Sequence, residues 1–443
     1  MHDEEHDDLR RQTLRDWAHL LAGLALGLAV GIVVWKVKPW SEDQDLVRYR
    51  EVRDYVRANY VREKDASELL EQSLHGMVEA LDPYSRFYGA DEVEAMRRET
   101  SGQYRGIGVV FAPPVAEARV LFTLPQSPAR KAGIRVGDKL VRVAGREVSG
   151  LAPGELRALL GNQDQGPVEV AVLGLDQLER STRIGAEELV DPSVRHARIV
   201  DGELGIGYVA LLSFSQETDE EFDAAVERLR AQGLKALVLD LRGNLGGVLR
   251  SAVRVANRFM ERGLIVSHES REQTQRFEAD PDLATLRGMP LVVLVDGESA
   301  SASEVLAAAL QEHRVAVVIG QPTYGKGMVQ QVKSFGDEMI VKLVSSYYYT
   351  PSHRNLERTV EGAWSVGVIP DVQMALTQAE NEALRTWRAS YSPPDEALAA
   401  IAEWERAEGR KLAPTAPPDA HLDAALELLR GRPPGTYAEQ GRP

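Results

Sequence analysis

Cysteine is absent from all 443 residues. That excludes disulfides, thiolate metal sites, iron–sulfur clusters and cysteine nucleophiles together. Cationic excess is missing as well: 52 Lys and Arg face 67 Asp and Glu, a formal charge of −15. No basic stripe with interleaved aromatics offsets it, so no nucleic-acid partner is expected. There is no repeat of fixed period, which excludes a solenoid. What is present is ordinary globular material, 44% apolar and 27% charged. A chain of this length and composition builds two to three domains with a large core, and wholesale disorder is excluded.

One long apolar run stands out. From Trp17 to Trp35 there are 19 residues without Asp, Glu, Lys or Arg. At ~1.5 Å per residue this is ~28 Å of helix, close to a bilayer core of ~30 Å. Tryptophan marks both ends, as at membrane interfaces. No small-x-small cleavage site follows it, so residues 17–35 are expected to be an uncleaved transmembrane anchor embedded in the lipid bilayer. Arg10, Arg11 and Arg15 precede the run and Lys36 and Lys38 follow it, which leans towards a cytoplasmic tail at residues 1–16. The expected placement is a single pass through the inner (cytoplasmic) membrane, with the bulk of the chain periplasmic or extracellular. Gly23, Gly27 and Gly31 repeat every four residues, a spacing at which two such helices approach closely and a homo-oligomer can form. His2-Asp-Glu-Glu5-His6 matches a zinc pattern, but it lies in an acidic tail and not on a helix in a closed cavity, so no metal is expected.

The remainder divides by pattern. Residues 41–98 read as helical, with Leu46, Val47, Val52, Tyr55, Val56 and Tyr60 at helical spacing and a second helix over Ala66–Leu81. Residues 101–184 read as a small β-rich module. Its strands are expected at Gly106–Phe111, Arg119–Phe122, Lys139–Val143 and Pro167–Val172, with one short helix at Pro153–Leu160. Residues 185–376 read as α/β. Strands Leu234–Leu241, Leu291–Val295, Val315–Ile319 and Met339–Val344 alternate with helices Asp219–Ala231, Val248–Arg262 and Ser303–His313. Residues 377–443 return to helix in three proline-separated pieces, Ala379–Ser390, Pro394–Arg410 and Asp419–Leu429.

Four segments carry candidate chemistry. Asp296-Gly-Glu-Ser299-Ala-Ser301-Ala302-Ser303-Glu304 joins a strand to a helix. A serine there meets free N–H groups and the positive end of the helix dipole. The same letters also make a capping box, Ser301-x-x-Glu304. His75, His196, His268, His313 and His353 stand in no recognisable catalytic context. A lysine is the other base known to serve serine. Lys326 lies between Gly325 and Gly327 after the strand Val315–Ile319, and burial would lower its pKa towards a working base. In an extended segment Gln330 shares its face and can orient the amine. Asp240-Leu-Arg242-Gly243-Asn244-Leu-Gly246-Gly247 presents backbone N–H groups suited to an anion, and equally reads as a tight turn. Gly106-Ile107-Gly108-Val109 leads a loop into a strand, as a peptide carboxylate site does, or as a plain hairpin does.

Taken in order, these segments resemble the carboxy-terminal processing (tail-specific) peptidases, serine peptidases with an inserted PDZ domain. The resemblance runs from about Leu46 to Leu376. It includes Leu81-Asp-Pro-Tyr-Ser-Arg-Phe87, Gly106-Ile-Gly-Val109, Ala132-Gly-Ile134 with Gly137-Asp138, Ile206-Gly-Tyr-Val209 and Asp240-Leu-Arg242. It continues through Ser299-Ala-Ser-Ala-Ser-Glu304, Pro322-Thr-Tyr-Gly-Lys-Gly327, Tyr349-Thr-Pro-Ser352 and Gly367-Val-Ile-Pro-Asp371. It implies an α/β crotonase-like peptidase core with an inserted small β-rich PDZ domain and helical N- and C-terminal flanks, to which the 17–35 run adds one N-terminal transmembrane helix. It implies Ser301 as nucleophile, because the family spaces its serine 25 residues before its lysine, as Ser301 and Lys326 are spaced here. Lys326 becomes the general base, Gln330 its support, and the N–H groups of Ala302 and of Gly246 or Gly247 the oxyanion hole. Gly106, Ile107, Gly108 and Val109 of the PDZ domain take the substrate's C-terminal carboxylate.

The expected protein is a membrane-anchored Ser/Lys endopeptidase that cleaves proteins near accessible C-termini, with no cofactor. Two rivals are a PDZ receptor on a peptidase-like scaffold without turnover, and a hydrolase of small acyl substrates. Asn244-Leu-Gly-Gly departs from the family's Asn-Pro-Gly-Gly, and the acidic tail and C-terminal segment have no counterpart in the pattern.

Overall fold

The computed structural model describes residues 17, 19–21, 23, 24, 44–90, 92, 93, 96, 103–161, 166–336, 338–358 and 367–431. The tail with His2, Glu5 and His6, most of the 17–35 run and residues 432–443 lie outside them. Among the described residues no helix is long and apolar enough to cross a membrane. The chain divides into two compact units, Met1–Met77 and Val78–Pro443. In the first, helix α1 (Gln44–Asn59) buries none of its residues. Helix α2 (Ala66–Glu79) starts where the Asp65 carboxylate accepts the Ser67 N–H at 3.1 Å.

The second unit is built on a six-stranded sheet. Strands β10 (Val194–Asp201) and β11 (Ile206–Leu211) pair antiparallel. From β11 the order continues in parallel through β12 (Ala236–Asp240), β15 (Leu291–Val295), β16 (Val317–Gly320) and β19 (Val372–Gln373). Parallel strands need crossovers, and helices supply them. Helix α5 (Thr218–Ala231) joins β11 to β12, and α7 (Ala302–Glu312) joins β15 to β16. Helix α5 is acidic in its first turn and carries Arg228 and Arg230 in its last, which complements its dipole. Helix α7 is alanine-rich and buried over Ala302–Leu310.

Strand alternation gives the sheet two apolar faces. Val209, Leu237, Leu239, Val293 and Val295 pack under α5, α6 (Leu249–Asn257) and α7. Tyr208, Ala210, Val238, Val292 and Leu294 face the other way. They are covered by Trp387 of α8 (Gln378–Ala389) and by Ala424 and Ala425 of α10 (Ala420–Leu429). Helix α6 stops at Asn257, short of the expected Arg262. The Asn257 side-chain amide donates to the Met260 and Asp280 carbonyls and closes a turn there.

A second sheet of five strands comprises β1 (Arg86–Tyr88), β18 (Met339–Tyr349), β13 (Leu264–Ser270), β14 (Thr274–Glu278) and β17 (Met328–Phe335), which pairs with β18. The small module has its own core of Ile107, Val120, Leu140, Val143, Leu156, Val170 and Ile184. Strand β2 (Gln103–Gly106) pairs with β9 (Glu187–Val190), and β3 (Val109–Phe111) with β4 (Val120–Thr123). The single strand expected over Gly106–Phe111 is thus two. Gly108 sits at φ 72°, and a Cβ on it would lie 2.3 Å from Ser127 Cβ, so the chain bends there. Strands β5 (Lys139–Val143), β6 (Arg146–Glu147), β7 (Val168–Leu173) and β8 (Glu179–Ile184) form its third sheet, and α4 (Pro153–Gly161) packs beside β2.

Candidate active site

Ligands of parallel α/β sheets gather beyond the carboxyl ends of the strands. Three such ends deliver the candidate loops here: Leu241–Gly247 follows β12, Asp296–Ser301 follows β15, and Gln321–Lys326 follows β16.

The serine loop selects one hydroxyl of three. Ser299 Oγ donates to the Leu241 carbonyl at 2.8 Å and Ser303 Oγ to the Asn244 carbonyl at 2.9 Å, and both residues are fully buried. Ser301 is only partly buried and sits at φ 57°, ψ −116° at the mouth of α7. A non-glycine residue held there stores roughly 1–3 kcal/mol of strain, an observation that marks functional positions. The N–H of Ala302, first in α7, has no acceptor among the described residues.

The lysine loop is fixed by two carboxylates. Glu304 is fully buried, and its Oε2 accepts the backbone N–H of both Ser301 and Lys326, each at 2.8 Å. Its Oε1 accepts Gly325 N–H at 2.7 Å and the Thr323 hydroxyl at 2.5 Å. Serine and lysine backbones are therefore neighbours because they share one oxygen. Burial pushes the Glu304 carboxyl up despite these donors. Glu357 Oε2 accepts Gly327 N–H at 3.0 Å, and Gly327 comes so near that a Cβ would lie 2.2 Å from Glu357 N.

Lys326 Nζ donates to Gln330 Oε1 at 3.3 Å, and no hydrogen bond joins it to Ser301 Oγ. Gln330 Nε2 donates to the Tyr84 carbonyl at 2.8 Å, and the Tyr84 ring lies 5.8 Å from Nζ. Burial, then the like charge of Lys342, pulls the amine below the ordinary lysine value, while Glu357 and Glu304 pull the other way.

The glycine loop reduces the two candidate donors to one. Gly246 N–H is taken by Asn244 Oδ1 at 2.9 Å, so it does not face an incoming anion. Gly247 N–H has no acceptor among the described residues, and its φ of 138° places the backbone against Phe214, where a Cβ would lie 2.1 Å from a carbonyl oxygen. Asn244 also accepts Ala300 N–H on its own carbonyl at 3.0 Å, which ties this loop to the serine turn.

In the small module, Ile107 and Gly108 are buried at the bend before β3. Their carbonyls accept Ala129 N–H and Leu124 N–H, both at 2.9 Å, whereas no acceptor takes their own N–H groups among the described residues. Gly106 ends β2 in register with Glu187, and Val109 opens β3 opposite Thr123.

Sequence reasoning left out Glu304, Tyr84 and Asn244 as site residues. Glu304 was visible as a cap and Tyr84 as part of a motif, but neither letter says that its partner lies on another loop.

The profile of peptidase family S41 matches residues 205–374, and that of the PDZ domain residues 124–173. A carboxy-terminal-processing protease of Bartonella bacilliformis is 30% identical over 369 residues, covering 81% of this chain and 82% of that one. The carboxy-terminal processing protease CtpA of Bacillus subtilis is 27% identical over 339 residues, covering 75% and 70%. A solved photosystem II D1 C-terminal processing protease is 28% identical, covers 73% of this chain and 85% of that one, and superposes with a TM-score of 0.43. The class is thus a serine protease of mixed α/β fold bearing a PDZ domain. The chain belongs to peptidase family S41, the carboxy-terminal processing proteases.

Proposed function

We propose that the protein is a Ser/Lys-dyad endopeptidase, with Ser301 as nucleophile, Lys326 as base and Gln330 as the support of the amine. The reading rests on one observation above all. Of three serines in the turn, only Ser301 has its hydroxyl free of the neighbouring loops, and its backbone shares the Glu304 carboxylate with that of Lys326, a half-buried lysine whose charge is disfavoured. The neutral Lys326 amine takes the Ser301 proton as Oγ bonds to the scissile carbonyl carbon. The carbonyl π pair moves to oxygen, and the N–H groups of Ala302 and Gly247 hold the resulting oxyanion. Collapse breaks the C–N bond, and the Lys326 ammonium protonates the leaving amine. Water then attacks the acyl-serine with Lys326 again as base, releasing the new C-terminus.

The PDZ module, about residues 101–184, supplies selection. The unaccepted N–H groups at Ile107–Gly108 suit a terminal carboxylate, and the edge of β3 suits an extended peptide. The 17–35 run anchors the chain in the inner membrane, with residues 1–16 cytoplasmic and the protease core (185–376) outside the cytoplasm.

The test uses the full chain and Ser301→Ala with casein and with peptides ending in a free or an amidated carboxylate. Cleavage by the wild type alone, faster on free carboxylates, is expected. Equal cleavage by Ser301→Ala overturns the dyad. Peptide binding without cleavage by either protein favours the scaffold reading.

A further inference from the structure

The C-terminal segment that follows the protease core reaches back into it. Asp419, the residue that opens α10, is buried and faces the loop after β12. Its two carboxylate oxygens accept Arg242 Nη1 at 2.8 Å and Nη2 at 2.6 Å. The adjacent edge of the same guanidinium is held by Asp240, through Nε at 2.9 Å and Nη2 at 2.6 Å. Asp240 also accepts the Arg242 N–H at 2.9 Å and the Tyr208 hydroxyl at 2.7 Å. Arg242 is thus gripped on two edges at the head of the loop that ends in Gly247. Charge-assisted bidentate pairs of this kind fix geometry as well as supply energy.

A second contact arrives from α8. Arg388, also buried, lies 3.5 Å from Asp296 Oδ2. Asp296 Oδ1 accepts the N–H groups of Gly243 at 2.9 Å and Ser299 at 3.1 Å, one from the glycine loop and one from the serine turn. Two residues of the tail therefore hold the two loops that carry Gly247 and Ser301.

We infer that Asp419 and Arg388 are positioning residues for the peptidase reaction, and that the C-terminal helices complete the catalytic site by fixing the Arg242–Gly247 loop. The inference rests on the Ser301 reading above. Neither residue touches substrate; both act through neighbours. Donor placement matters in the transition state and little in substrate capture, so the loss should fall on kcat.

The full chain, Ser301→Ala, Asp419→Asn, Arg388→Gln and Ala425→Gly are compared for kcat, KM and Tm on one peptide with a free carboxylate. Asn keeps the size of Asp419 and serves equally as a helix cap, but it has one acceptor oxygen in place of two and turns an amide towards the guanidinium, so Asp419→Asn breaks the bidentate pair while sparing the cap. Ala425→Gly loosens α10 without touching Arg242. Asp419→Asn is expected to lower kcat by about 10–100-fold with KM within about two-fold. Ala425→Gly, brought to the same distance below its Tm by choice of temperature, is expected to keep kcat within about two-fold. Arg388→Gln is judged by the same measures and carries the test if Asp419→Asn does not fold. Wild-type kcat in both Asp419→Asn and Arg388→Gln overturns the inference, as does an equal loss in Ala425→Gly. Either result, with Ser301→Ala inert, leaves the dyad standing. Full activity of Ser301→Ala overturns the dyad and this inference together.

Discussion

At Ser301 the polypeptide holds a non-glycine residue at φ 57° at the entrance to a helix, and the means of holding it are visible. The Glu304 carboxylate binds the Ser301 N–H on one side and the Lys326 N–H on the other. Glutamine is nearly the same size but has one acceptor oxygen, and its amide hydrogens would face N–H donors. Glu304→Gln is expected to cost roughly 2–4 kcal/mol of stability and most of the activity. Chemical denaturation and casein hydrolysis check this, and a fully active, fully stable variant contradicts it. Lys326 leads to a pH prediction. In the proposed dyad the neutral amine is the working base, so kcat/KM should rise with pH through an apparent pKa below the free-lysine value of about 10.4. Lys342 is one cause of that depression. Lys342→Gln removes a like charge, raises the Lys326 pKa and should move the rising limb to higher pH. A limb that stays put or moves down shows that Lys342 does not act on the amine. The two carboxylates that bind the lysine loop, Glu304 and Glu357, pull against the depression, so burial is its chief cause.

At the scale of elements, apolar periodicity carried far and then failed for identifiable reasons. Strands β12, β15 and β16 are continuous apolar runs buried on both faces, and they stand where the sequence pattern puts them to within two or three residues. Helices α5 and α7 follow the same logic. Strand β11 was missed because Gly207 and Tyr208 interrupt its run, although all six residues are buried. The β13–β14 hairpin was missed because β14 is Thr-Gln-Arg-Phe-Glu, mostly exposed and polar. The Ser301, Lys326 and Gln330 residue types and their spacing were legible; Glu304 as a bridge and Asn244 as the partner of Gly246 were not, since both depend on loops that meet only in the folded chain. Helix α9 (Asp395–Glu408) shows the same limit. Its Ala397, Ile401 and Trp404 cover Leu121, Phe122 and Leu124 of the PDZ module, and Glu396 pairs with Arg130 at 2.7 Å. Trp404→Ala is expected to cost about 3–5 kcal/mol locally. Hydrogen exchange should then rise in α9 and in β3–β4 while β12 and β15 stay protected. Uniform loss across both regions would show that PDZ module and core unfold as one.

In the whole molecule, the C-terminal helices lie on two bodies in succession. Helix α8 stacks Trp387 on His196 of β10 with ring centroids 4.1 Å apart, α9 covers the PDZ module, and α10 returns to the central sheet. His196 is buried between these layers and its pKa falls to about 4, chiefly through burial, so it stays neutral there. The PDZ module and the peptidase sheet are thereby joined twice: by the chain through β8 to β10, and by this strap. No composition statistic announces such a strap, because its apolar residues read as ordinary amphipathic helices. The Arg242–Asp419 pair also sets an order of assembly. The two residues are 177 positions apart. At ~5–20 residues per second of synthesis, roughly 10–35 s pass between them on the ribosome. Ser301, Lys326 and the glycine loop are all made within that interval, yet the loop lacks its second carboxylate until α10 emerges. On the inferred role of Asp419, the growing chain carries its serine and lysine for that interval beside a glycine loop that is braced from one side alone.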